Sequence, residues 1–219
     1  MALGPPPPAF ELIGMPAIDL SGRRAHRVHL ASRSSPWWFS SAKGGAGGRF
    51  DLEAPLGTCY LAAEVSGSVI EAFAGFGRGA LPISELRRRR RAEVVCPPRS
   101  PRAADLCDRR ARGLGVTAAL WAGDDRRITQ AWAAALRRSG WLAVWSGASH
   151  DPSGTERNIA LFDLAGEHVP YDDTVGWAHF EHRLDDDPVV TGALAGYGIA
   201  VIADPSPETV PLEESGLLD

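Results

Sequence analysis

The sequence predicts an α+β fold. Strand-like runs occur in both halves of the chain, helix signals are interleaved among them, and no internal repeat organises the order. At 219 residues, 44% of them hydrophobic, the chain is long enough to bury the core of one such domain. The expected layout is an N-terminal extension (1–22), a domain over 23–203 and an acidic tail (204–219).

The elements follow in order. Residues 5–8 are a polyproline stub, and 10–20 read as a short clip that packs on the domain. Residues 26–30 (HRVHL) alternate as a strand does. Residues 43–48 (KGGAGG) are too glycine-rich for regular structure and read as a flexible loop. Residues 59–63 (CYLAA) predict a strand and 66–73 a helix, with Ser66 or Ser68 as its N-cap. The charged stretch 81–95 reads as a solvated helix, its arginines at 87–91 balanced by Glu85 and Glu93 and ended by Pro97 and Pro98. A further helix is expected over 101–112, ending at Gly113. The clearest helix is 124–139. Ile128, Ala131, Trp132, Ala135 and Leu136 share one face, Asp124 and Asp125 open it, and Arg137 and Arg138 sit in its last turn before Gly140. Residues 141–145, 158–163 and 197–203 complete the predicted strands.

Composition excludes several functions. A net charge of −4 provides no global positive field for nucleic acid or an anionic membrane. No run approaches the roughly 18 apolar residues that span a bilayer, and the first ten residues lack the pattern of a signal peptide. Cys59, Cys96 and Cys107 are odd in number and widely spaced, which suits a reducing cytoplasm rather than a disulfide framework.

Other local signals have plain readings. Five adjacent arginines point all round a helix and form no nucleic-acid face. His179 and His182, with Glu181 between them, lack further ligands at metal spacing and read as a surface pair, so no metal is expected. Most tryptophans, Trp177 included, read as core. In Trp37-Trp38, neighbours that face opposite ways, one ring is a candidate to line a pocket. KGGAGG lacks the ending and context of a phosphate-binding loop.

One combination is more specific. Gly48-Arg49-Phe50-Asp51, then Gly57-Thr58-Cys59-Tyr60-Leu61-Ala62, then Glu71 on the following helix, resembles the amino half of RES domains. The stretch GVTAALWAGDDRRITQAWAAALRRSG, followed by SHDPSGTERNIALFDLAG, is similar to their carboxyl half. The resemblance spans about residues 25–166. It implies an ADP-ribosyltransferase-like mixed β core with flanking helices, and an enzyme that degrades NAD by hydrolysis or phosphorolysis. It also implies a toxin paired with a helix-turn-helix antitoxin. NAD is then substrate rather than cofactor, and phosphate a possible acceptor. Position by position, the family's arginine, tyrosine and glutamate match Arg49, Tyr60 and Glu71, and the first-strand arginine matches Arg27, preceded here by His26 in place of the usual tyrosine. The serine position falls on Ala148, which leaves Ser146 and Ser149 as the candidates.

These residue types suit the implied chemistry. Nicotinamide leaves as a neutral amine, so the demand is to stabilise an oxocarbenium-like ribose, a task for the Glu71 carboxylate. Guanidinium groups at Arg49 and Arg27 match a pyrophosphate bidentately. Tyr60 offers a ring for stacking and a hydroxyl for orientation, and a loop serine a hydrogen bond to carboxamide or ribose. The alternatives are an ADP-ribosyltransferase acting on a macromolecule and a non-catalytic binding module.

Overall fold

The computed structural model describes residues 3–44, 46–73, 75–76, 79–96, 102–168 and 178–204. The expectations for Pro97, Pro98, Pro101, Trp177 and the tail past Asp204 lie outside the described residues. Along the chain, α1 (Ala9–Leu12) and β1 (Ala17–Ile18) precede β2 (Arg24–Leu30), β3 (Trp38–Phe39) and β4 (Ser41–Ala42). Next come β5 (Leu52–Glu53), β6 (Leu56–Ala62), α2 (Val65–Phe73), β7 (Ala80–Pro82), α3 (Ile83–Arg87) and β8 (Arg89–Val95). β9 (Ala103–Asp105) and a 3-10 helix (Arg109–Leu114) lead to α4 (Ala119–Ala122), α5 (Arg126–Arg138), β10 (Ala143–Gly147) and β11 (Arg157–Leu164). β12 (Gly166–Glu167), β13 (Ala178–Arg183), α6 (Pro188–Gly196) and β14 (Ala200–Ile202) follow.

One mixed sheet organises these elements, in the order β1-β9-β10-β11-β6-β2-β8-β13. Its pairings are antiparallel except β9–β10, which is parallel. Directly opposed residues share a face, so the registers fix which side chains meet. On one face Cys59, Leu61, Ile159, Leu161, Ala143 and Val94 pack with Leu20, Trp37 and Phe39. The opposite face is covered twice. Over β9, β10 and β11 lie Leu120 of α4 and Trp132 and Leu136 of α5, against Val144, Ala160 and Phe162. Over β2 lies α2, itself packed on α6 through Val69, Phe73, Val190 and Leu194. The two helical covers leave a gap between them, and that gap is the site described below.

The strands of both halves and the amphipathic helix match expectation. Asp125 caps α5 by accepting from the amides of Arg127 and Ile128 at 3.1 and 3.2 Å. The N-terminal clip is tied down as well. Trp132 and Trp141 donate their indole N–H to the carbonyls of Gly4 and Leu12 at 3.0 and 2.9 Å, and β1 adds a strand to the sheet.

Three local expectations are corrected. The arginine run is not a solvated helix: α3 ends at Arg87, and Arg89–Val95 is an interior strand hydrogen-bonded to β2 and β13. Pairing on both edges overrides the helical preference of arginine. The described part of 101–112 is β9 and a 3-10 helix, because residues 103–105 bridge β1 and β10. Ser66 and Ser68 lie inside α2 rather than capping it; their hydroxyls donate to Glu156 and to the Val65 carbonyl. Sequence reasoning missed α6, whose start signals are Asp187 at its cap and Pro188 in its first turn.

Candidate active site

A cavity of about 330 Å³ opens between the two helical covers. Its floor follows from strand register. His26 opposes Ala62, Ala62 opposes Asn158, and Asn158 opposes Ser146, so one row of side chains crosses β2, β6, β11 and β10 on the same face. All four residues line the cavity, as do Tyr60 and Ala160 in an adjacent row.

The wall formed by residues 48–51 carries Arg49. Asp51 is buried in the turn, accepting from the Gly48 amide at 2.8 Å, the Tyr60 hydroxyl at 2.8 Å and the Ser40 hydroxyl at 3.0 Å. The Tyr60 hydroxyl in turn accepts from the Phe50 amide at 2.9 Å, and Thr58 donates to the Phe50 carbonyl at 2.7 Å. Gly48 leaves no room for a side chain: a Cβ there would collide with the Tyr60 hydroxyl. The turn is also held from α5, where Gln130 donates to the carbonyls of Ala46 and Gly48 at 3.1 and 3.0 Å. The second half of the glycine-rich loop is therefore held both by Asp51 and by α5. Arg49 extends from this turn to donate to the Gly123 carbonyl, which Arg126 also reaches at 3.5 Å. Two guanidinium groups thus line one end of the cavity.

Glu71 comes from α2 on the opposite wall. Its carboxylate accepts from the Ser149 amide at 3.0 Å, the Ser149 hydroxyl at 3.2 Å and the Asn158 side-chain amide at 3.2 Å, with His150 Nε2 at 3.9 Å. Side chain and loop fix its direction without covering it; it stays about 29% exposed, facing the cavity.

Of the residues singled out from sequence, Arg49, Tyr60, Glu71, Ser146 and Ser149 all border this one cavity. Ser149 contacts Glu71, whereas Ser146 belongs to the floor, and Ala148 between them is buried. For Tyr60 the expectation narrows: its ring is available, but its hydroxyl is committed to Asp51 and Phe50. Burial first, and then the Asp51 charge, push its pKa well above the usual 10, so it remains a phenol that donates to Asp51.

Arg27 is not brought in as expected. It borders the cavity, yet its guanidinium donates to the carbonyls of Pro36 and Trp38 at 2.5 and 3.1 Å and to Cys59 Sγ at 2.5 Å. Cys59 packs on the other face of the sheet, where alternation also puts a residue adjacent to His26. Neither Trp37 nor Trp38 lines the cavity: Trp37 is buried core and Trp38 lies under Arg33. Trp121 does line it, standing over Gly147, where a Cβ would strike the indole nitrogen. Sequence reasoning missed Trp121, Arg126, Asn158 and His26. The signal for Asn158 was a polar residue opening an otherwise apolar strand; Arg126 looked like any first-turn surface residue.

Among the described residues no group of three or more His, Cys, Asp or Glu side chains is arranged to hold a metal, and no helix is long and apolar enough to cross a membrane.

The architecture is shared with a chain of the crystal structure of the M. tuberculosis MbcT–MbcA toxin–antitoxin complex, at 15% identity and a TM-score of 0.55, covering 80% of this chain and 91% of that one. At that identity the likeness is one of fold. No curated protein matches the sequence. The RES domain family model, however, matches residues 23–184. That span contains every strand, helix and loop that lines the cavity, and on it the chain belongs to the RES domain family.

Proposed function

We propose that this RES-domain protein cleaves the nicotinamide–ribose bond of NAD and acts as the toxin of a toxin–antitoxin pair. The observation that carries the reading is that Arg49 and Glu71, from two walls of different origin, line one cavity. Arg49 and Arg126 receive the pyrophosphate, whose charge matches two planar donors. Glu71, oriented by Ser149 and Asn158, faces the ribose and stabilises the positive charge that develops as nicotinamide departs. The rings of Tyr60 and Trp121 flank the space for a flat base. Water or phosphate then takes the ribosyl carbon. The pairing with an antitoxin is supported by the fold shared with a chain of a toxin–antitoxin complex.

The test is incubation of purified protein with NAD, with and without inorganic phosphate, followed by product identification. Release of nicotinamide is expected, with ADP-ribose or its 1-phosphate marking the acceptor. Glu71→Gln and Arg49→Ala are each expected to lower turnover by about a hundredfold or more. NAD left intact under both conditions overturns the reading. Expression in cells is expected to arrest growth for the native chain and not for Glu71→Gln.

A further inference from the structure

His26 occupies the end of the floor row and has no part in the chemistry above. Its Nδ1 lies 3.4 Å from an Nη of Arg91. A guanidinium only donates, so Nδ1 accepts, and the ring proton resides on Nε2. Arg91 is not free to turn away. Its Nε and other Nη both donate to Asp187 Oδ2, at 3.0 and 2.7 Å, and Asp187 uses its second oxygen to cap α6 through the Val189 amide at 2.9 Å. Arg91 and Asp187 are 5% and 8% exposed, a buried pair made within the same arginine run that reads as a solvated surface in the sequence.

We propose that His26 is a hydrogen-bond donor to an oxygen of the substrate, held as its Nε2–H tautomer by the Arg91–Asp187 pair. The proposal rests on the dinucleotide reading of the cavity and adds to it a residue that discriminates acceptor atoms from donors. His26 is 8% exposed and borders the cavity, and also a second hollow beside Arg24 and Glu64; Nε2 is the ring nitrogen not engaged by Arg91. The charged and titratable groups around it are Arg24 on its own strand, Arg91 and Glu93 on β8, and His182 on β13. Asp187 lies behind Arg91 at the start of α6, and Glu71 projects from α2, which packs on β2. Burial first, and then the Arg91 charge, lower the pKa of the ring below its usual 6.5, so it is neutral above that pH. Protonation would place a second N–H against Arg91, donor facing donor. Arg91 and Asp187 are positioning residues in this scheme.

Two readouts test it. Nitrogen-15 NMR of the histidine side chains at pH 7.5 is expected to show His26 as the Nε2–H tautomer; an Nδ1–H ring or an imidazolium overturns the proposal. In steady-state assays, His26→Leu is expected to raise KM for NAD about tenfold, the size of one lost hydrogen bond, with kcat nearly unchanged. His26→Gln, which retains a donor, is expected to recover most of that loss and also serves if the leucine variant fails to fold. Arg91→Lys is expected to shift the acidic limb of the kcat/KM profile. A leucine variant with the native KM overturns the proposal while leaving NAD cleavage intact. Should the native protein leave NAD untouched, the enzymatic reading fails and the tautomer alone decides: the Nε2–H form supports the locked donor, and any other form overturns it.

Discussion

The two walls of the cavity are built differently. The Arg49 wall is a four-residue turn whose buried carboxylate, Asp51, is met by three donors and whose Tyr60 tie closes the loop back onto β6. The Glu71 wall is a helix residue steadied by a surface loop: Ser149 and Asn158 hold the carboxylate, and residues 151–156 hold the loop through the half-buried Asp151. A group fixed by buried, mutually dependent hydrogen bonds is costly to disturb, whereas one fixed at the surface is easily moved. The Arg49 wall is therefore the rigid one, and the Glu71 wall the adjustable one.

Substitutions in the rigid wall put that contrast at risk most directly. Asp51→Ala strands the Gly48 amide and removes the acceptor of the Tyr60 hydroxyl. It is expected to cost about 3 kcal/mol, read as a fall in Tm of roughly 6–12 °C for a domain of this size. Gly48→Ala drives a methyl group into the Tyr60 hydroxyl and to 2.9 Å from Asp51 Oδ1, for about 2 kcal/mol by denaturant melt. Tyr60→Phe leaves the Phe50 amide without its acceptor and costs about 1 kcal/mol. On the other wall, Ser149→Ala is expected to change stability by less than about 0.5 kcal/mol while lowering NAD turnover about tenfold, since the serine orients Glu71 and supports little else. Equal melting losses on the two walls would erase the distinction.

How much of this was legible follows the same division. Arg49, Tyr60 and Glu71 stand out as motif residues because they lie within one continuous stretch of the chain, and the glycine at 48 is demanded by Asp51 and Tyr60 of that same stretch. Residues 26–30 and 158–163 read as strands from their sequence, and they fall within β2 and β11. What stayed hidden depends on partners far along the chain. The row His26–Ala62–Asn158–Ser146 exists only once four strands have chosen their registers. Arg91 reads as surface until Asp187, 96 residues later, arrives to neutralise it. Arg27 matched a motif yet turned to the other face, where backbone carbonyls of Pro36 and Trp38 engage its guanidinium.

Acid separates the walls without any substitution. Asp151 accepts from the amides of Ser153, Thr155 and Glu156 and from the Ser153 hydroxyl. Burial by itself would raise its pKa, but these hydrogen bonds outweigh it and hold the group down to about 2, against an ordinary value of 3.8. A folded-state pKa depressed in this way contributes stability that is complete above the unfolded value and is lost as pH falls from about 4 towards 2. The loop should therefore loosen within that window. Amide exchange at Ser153, Thr155 and Glu156, corrected for the intrinsic effect of pH, is expected to lose protection between pH 4 and 2, and Asp151→Asn should flatten the change. Protection that persists to pH 2 in the native chain would mean that Asp151 does not govern this wall, and that its adjustability must come from α2 instead.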